Sequence, residues 1–157
     1  MTRNQRWSQR ELDIKAKDYC ALLRRRVMNY RKQGDIKSTK TDSWDIPRVA
    51  VACASKVSPY LCARGRNCSN LIHPHPILLA SYPSVKRDPQ TPAYPLEPHF
   101  AEGHCAEPHA ANKLLNKMAK KRFINISDIL FGKAFSVKNS LEKPYCATCK
   151  QTFPQLR

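Results

Sequence analysis

Cys105-Ala106-Glu107 opens one apolar-periodic run, and Pro144-Tyr145-Cys146-Ala147-Thr148-Cys149 opens a second, with 40 residues between Cys105 and Cys146. Three thiolates can hold one Zn²⁺ and leave its fourth position open. A carboxylate two residues from a ligand can move protons at a water in that position. C-x-x-C alone is a weak signal and C-A-E alone is noise, but each standing before a helix with a strand between them is a specific pattern. Cys105, Cys146 and Cys149 are the candidate metal ligands, and Glu107 is the candidate catalytic residue.

Working outward, Ala111, Leu114, Leu115 and Met118 predict a helix over Ala110 to Lys121 with one buried face. A strand is expected within Asp128 to Ala134, then a short loop to Pro144 and a terminal helix from Cys146 to Phe153, stopped by Pro154. Upstream, Val49 to Cys53 reads as a buried strand and Tyr60 to Ala63 as its hairpin partner, with a turn at Ser58-Pro59. Residues 66–103 hold most of the 12 prolines, including His73-Pro74-His75-Pro76, so regular helix is not expected there. An insertion of this kind either covers a substrate or is passive.

The order of hairpin, C-A-E helix, strand and C-x-x-C helix resembles the zinc-dependent cytidine and nucleobase deaminase superfamily, in particular the branch of bacterial toxin deaminases and their eukaryotic relatives. The resemblance implies an α/β fold: a cytidine deaminase-like sheet with both zinc-motif helices side by side on one face. It implies Zn²⁺ as cofactor, hydrolytic deamination of a cytosine or adenine base, and Glu107 as the group that carries protons to the ring nitrogen and the departing ammonia. Bases in such enzymes are stacked and read along one edge, which makes His99, Phe100, Tyr145 and Asn70, with Asn67 as the alternative to Asn70, the candidate substrate contacts. The chain departs from the family pattern in three ways. Tyr145 separates Pro144 from Cys146. Only eight residues follow Cys149, so the C-terminal strands that complete the family sheet are expected to be missing. The resemblance begins near Val49 and leaves the first forty-odd residues unexplained.

Those first residues predict a basic amphipathic helix within residues 1–34, from Trp7 to Gln33, with Leu12, Ala16, Tyr19, Leu23, Val27 and Tyr30 on its apolar side. Ser8 is the expected N-cap, Glu11 completes a capping box and Gly34 is the stop. Residues 35–47 read as a linker, and residues 48–157 as the deaminase-like domain. Lys and Arg outnumber acids 28 to 12, for a formal charge of +16, and this points to a nucleic acid or nucleotide substrate. Arg10, Lys17, Arg24, Arg25, Arg31 and Lys32 could grip phosphates, although a solvated helix face explains them equally. An immunity protein or an oligomer partner belongs to the same reading.

Seven cysteines without an N-terminal apolar segment point to a reducing cytoplasmic or nuclear setting, or to an effector delivered there, with metal ligation preferred to disulfides. Apolar runs fall far below membrane-spanning length, so no membrane partner is expected. Two readings compete with the enzyme. Cys62, Cys68, Cys146 and Cys149 could enclose a structural zinc ion in a basic nucleic-acid-binding module, or the fold could be a catalytically inactive deaminase. His104 and His109, flanking Cys105, are substitute ligands or rim residues, and Cys20 and Cys53 are expected to pack.

Overall fold

Val49-Ala50-Val51-Ala52-Cys53-Ala54 is apolar throughout because both faces of this strand are covered. In a computed structural model, residues 7–32, 47–57, 61–68, 74–81, 105–118, 125–145 and 147–156 are described. The elements are α1 (Gln9–Lys32), β1 (Val49–Ser55), β2 (Cys62–Arg66), α2 (Pro76–Ser81), α3 (Ala106–Met118), β3 (Ile129–Phe131), β4 (Ala134–Ser136), β5 (Glu142–Lys143) and α4 (Ala147–Thr152). Short 3-10 turns cover Ile126–Asp128 and Pro154–Leu156. The result is a mixed α/β fold around a small antiparallel sheet. β1 lies at its centre, with β2 on one side and β3 and β4 on the other, and β5 lies outside β4.

Strand alternation divides the core into two layers. Ala50, Ala52 and Ala54 meet Leu12, Ala16, Tyr19, Cys20 and Leu23 of α1, and these small alanines let the helix lie close to the sheet. Val51 and Cys53 point the other way, into a cluster with Leu114 and Leu115 of α3, Leu78 of α2, and Cys149 and Phe153 at the chain's end. α1 starts as expected, with Ser8 Oγ accepting from the Glu11 amide at 3.1 Å. The N-terminal helix is therefore one of the layers that cover the sheet. The side chain of Tyr30, and Gln33 and Gly34, lie outside the described residues. No described helix is long and apolar enough to cross a membrane.

Several elements differ from expectation. Among the described residues the second strand is Cys62–Arg66, which runs past the expected end at Ala63 because Gly65 continues the inward alternation of Ala63 while Arg64 sits exposed on an edge; the expected start at Tyr60 and turn at Ser58-Pro59 lie outside the described residues. The proline-rich stretch does contain a helix, α2. Pro76 takes its first position, where no amide is needed, and His75 Nδ1 accepts from the Ile77 amide at 3.2 Å. α3 begins at Ala106, four residues before the expected Ala110, and its expected end at Lys121 lies outside the described residues. The loop expected before Pro144 carries the end of β4 and the two residues of β5.

The strand expected near Asp128 to Ala134 is split into β3 and β4 by one extra residue. Cys53 pairs with Phe131 and Ala50 with Phe135, so three steps along β1 face four along its neighbour. This is a β-bulge at Gly132-Lys133. It reverses the alternation, so Phe131 packs in the α3 layer and Phe135 in the α1 layer. The ladder resumes through the Gly132 amide, which donates to Ala52 O at 2.9 Å, while the Lys133 amide donates to Asp13 Oδ1 at 2.7 Å.

Candidate metal centre

α3 lies close to β2 because residue 65 is glycine. A Cβ there would be 2.6 Å from Ala106 O and 2.7 Å from Ala110 Cα, and it would also collide with the Ala110 amide. Ala106 and Ala110 complete the contact from the helix side, which fixes the end of α3 that carries Cys105 and Glu107. At the other motif, Phe153 is fully buried with its ring 4.8 Å from that of Phe131. The Gln155 amide nitrogen donates to Ile126 O and Ile129 O, each at 2.9 Å. These anchors hold α4 on the same side of the sheet as α3.

The two helix starts bring Cys105, Glu107 and Cys149 together, with one ligand-type atom from each lying within 4.8 Å of the others. The Cys149 thiol donates to Glu107 Oε2 at 3.5 Å. Glu107 is 4% exposed and Cys149 1%, while Cys105 is half-buried. Ligand atoms around a tetrahedral zinc ion stand about 3.3–3.8 Å apart, given bonds of about 2.0–2.3 Å, so a group within 4.8 Å could close on a metal ion with small side-chain shifts. Two ionised thiols and a carboxylate buried together would repel unless a cation lay among them, and soft sulfur donors favour a metal of zinc's class over magnesium or calcium. Cys146 lies outside the described residues, as do His99, Phe100, Asn70 and His104.

Tyr145 is described, and its hydroxyl is engaged within the protein, donating to Gly132 O at 2.6 Å. Burial pushes its pKa up to about 12, helped by the charges of Glu107, Asp13 and Glu142, so the phenol stays protonated and remains a donor. What Tyr145 can offer a base is therefore its ring. Asn67, a candidate reader of a base edge, is instead a buried brace for β1. Its Oδ1 accepts from the Arg48 and Val49 amides at 2.7 and 3.1 Å. His109 stands apart from the metal group, with Nε2 3.2 Å from Cys68 O. Asn112, which the sequence did not single out, is buried on α3, and its Oδ1 accepts from the His75 amide at 2.8 Å, tying the α2 segment down. An Asn among helix formers, one of two in α3, is the only sequence signal for it.

The described members of the competing structural zinc site do not come together. Cys62 packs against the α1 layer and Cys149 lies within the α3 layer, on opposite faces of the sheet. Comparison with protein-family models, curated proteins and solved structures gives no match.

Proposed function

We propose that the chain is a zinc-dependent hydrolytic deaminase acting on a cytosine or adenine base. The observation that carries this reading is the convergence of Cys105, Glu107 and Cys149 within 4.8 Å at the starts of two helices on one face of the sheet. Cys146, three residues before Cys149, is the third sulfur ligand by its C-x-x-C spacing. The antiparallel pairing of β1 with both β2 and the β3–β4 strand supports a cytidine deaminase-like sheet.

Zinc held by Cys105, Cys146 and Cys149 would supply Lewis acidity that makes a water nucleophilic near neutral pH. Glu107 provides the proton path. Its carboxylate already takes a hydrogen bond from Cys149 at Oε2, and with the thiols ionised that oxygen is available to take a proton from the water instead. It then returns the proton to the ring nitrogen and helps ammonia leave as a carbonyl replaces the amino group. Burial of Glu107 keeps bulk water from competing for the proton.

The decisive substitution is Glu107→Gln, assayed by uracil or hypoxanthine formation from single-stranded DNA, RNA and free nucleosides. The expected result is retained zinc and fold with turnover reduced on the order of 10²- to 10⁴-fold. A wild type inactive on every substrate in zinc-replete buffer, or a variant as active as wild type, overturns the assignment.

A further inference from the structure

Cys105, His109, Lys113 and Lys117 recur every four residues and form one slanting line along α3. The last three each meet a carbonyl of β2 or of the residues just after it. His109 Nε2 lies 3.2 Å from Cys68 O, Lys113 Nζ donates to Arg64 O at 3.1 Å, and Lys117 Nζ donates to Cys62 O at 3.1 Å. β2 is the edge of the sheet. Leu61 and Asn67 exchange backbone bonds with β1, so by alternation the carbonyls of Cys62 and Arg64 face outward. The line is a seam between helix and sheet edge that begins at the metal group and carries positive charge away from it for about 18 Å.

Two strand residues add to the charge. Arg64 is exposed, with its guanidinium 4.7 Å from the centre of the Tyr19 ring, and Arg66 donates from Nη1 to Asn67 O at 3.1 Å. The cations crowd one another: burial first, then Arg66, Arg64 and Lys117, push the Lys113 pKa down, while Cys68 acts the other way. Like charges held this close are relieved by a bound anion. Arg24 and Lys17 of α1 lie on the other side of β1 from β2, Arg24 donating to Val137 O and Ser140 Oγ, each at 2.7 Å, and Lys17 over the Phe135 ring.

We propose that this seam is the track for the sugar–phosphate backbone of a single-stranded nucleic acid, laid along Lys117, Lys113, Arg64 and Arg66 so that its target base arrives at Cys105 and Glu107. A line of cations matches a chain of phosphates better than a flat lipid surface does, and a duplex would keep its bases stacked out of reach. The proposal names the form in which the base is presented. It rests on the deaminase reading for the fate of that base, and strand binding stands independently.

The test is fluorescence anisotropy of labelled DNA and RNA single strands of roughly 12 nucleotides, titrated with zinc-loaded full-length protein from about 50 to about 200 mM salt. Lys113→Gln/Lys117→Gln and Arg64→Gln/Arg66→Gln are compared with Lys138→Gln/Lys143→Gln, which removes the same charge beyond the opposite side of the sheet. Each track pair should flatten the salt slope by about 1.4 and weaken binding roughly 10- to 30-fold near 0.1 M salt, at about 0.7 per phosphate contact on a single strand. The control pair should do neither, and thermal stability and zinc content should stay at wild-type values. Equal losses in track and control pairs, an unchanged slope in the track pairs, or no strand binding by wild type overturns the proposal. So does a wild type that binds anionic vesicles but not strands. A wild type that binds strands through these residues yet deaminates nothing leaves the track standing and removes the deaminase reading. One that deaminates free nucleosides but binds no strand does the reverse.

Discussion

The Tyr145 hydroxyl donates to the Gly132 carbonyl at 2.6 Å, joining the segment that leads into C-x-x-C to the bulge in the neighbouring strand. A bulge takes backbone groups out of the ladder and they need other partners. Here Tyr145 satisfies the Gly132 carbonyl, and Asp13 of α1 satisfies the Lys133 amide at 2.7 Å. Gly132 has no room for a side chain, since a Cβ would lie 2.9 Å from both Leu12 Cβ and Asp13 Oδ1. The N-terminal helix, the bulge and the second metal motif are thus mechanically connected.

Tyr145→Phe leaves the Gly132 carbonyl without its donor and should lower stability by about 1–3 kcal/mol in urea unfolding at neutral pH. Folding favours the neutral phenol. The contribution of Tyr145 is therefore complete below the unfolded tyrosine pKa of about 10 and is lost as pH rises through about 12. A near-ultraviolet phenolate titration of the folded wild type should show a late component near pH 12 that Tyr145→Phe lacks. Identical titration curves for the two proteins would refute the assignment.

Gly65→Ala should disturb the metal site from the far side of α3. The new methyl meets the helix backbone at Ala106 and Ala110, which cannot rotate aside as a side chain would. The helix must shift, at about 1–3 kcal/mol or more, and carries Cys105 and Glu107 with it. Reduced zinc occupancy together with reduced stability is the expected pair of results. Wild-type values of both would mean that α3 tolerates the displacement.

Much of this was legible from side-chain pattern. The Leu12–Ala16–Tyr19–Leu23 stripe marked the helix that covers the sheet, Val49 to Ala54 marked a strand buried on both faces, and the C-A-E and C-x-x-C spacings picked out Cys105, Glu107 and Cys149 before their proximity was seen. What pattern could not reveal is held by backbone. Arg64-Gly65-Arg66 carries no strand signal because its alternation is between a missing side chain and charges at an edge. The bulge at Gly132-Lys133 interrupts the apolar run from Ile129 to Phe135, but a Gly-Lys pair does not by itself say whether the strand ends, turns or bulges there. The role of Asn67 as a brace also has no local signature, since its partners, Arg48 and Val49, lie at the start of another strand, far away in sequence.

Deleting Lys133 tests the bulge directly. With the extra residue gone, three steps from Phe131 to Phe135 would face three along β1, so Phe135 would still stand opposite Ala50 and face the α1 layer, in a regular ladder. The layers would keep their members, and Asp13 would lose the Lys133 amide as its partner. The variant should lose about 1–3 kcal/mol and keep cooperative unfolding, whereas Lys133→Ala, which keeps the backbone amide, should stay within about 0.5 kcal/mol of wild type. A deletion variant without cooperative unfolding would show that the division of the layers depends on the extra residue.

The ligand set is tested by single cysteine substitutions scored for zinc content and for alkylation of the remaining thiols. Cys105→Ala, Cys146→Ala and Cys149→Ala should each lose the metal, because removing one of three sulfur ligands weakens the site by far more than the remaining donors recover. Cys62→Ala and Cys68→Ala should keep one zinc per chain, since Cys62 belongs to the opposite face of the sheet and Cys68 to the segment met by His109. Cys53 supplies an internal check on folding. It is fully buried, and burial first, then the neighbouring Cys62, pushes its thiol well above the usual range, so it should stay unmodified wherever the core is intact. In wild type, chelation should expose Cys105 to alkylation before Cys149, in keeping with their half-buried and 1% exposed positions. Zinc retained in Cys105→Ala and lost in Cys62→Ala, with Cys53 still protected in both, would place the metal elsewhere and remove the basis for the catalytic reading.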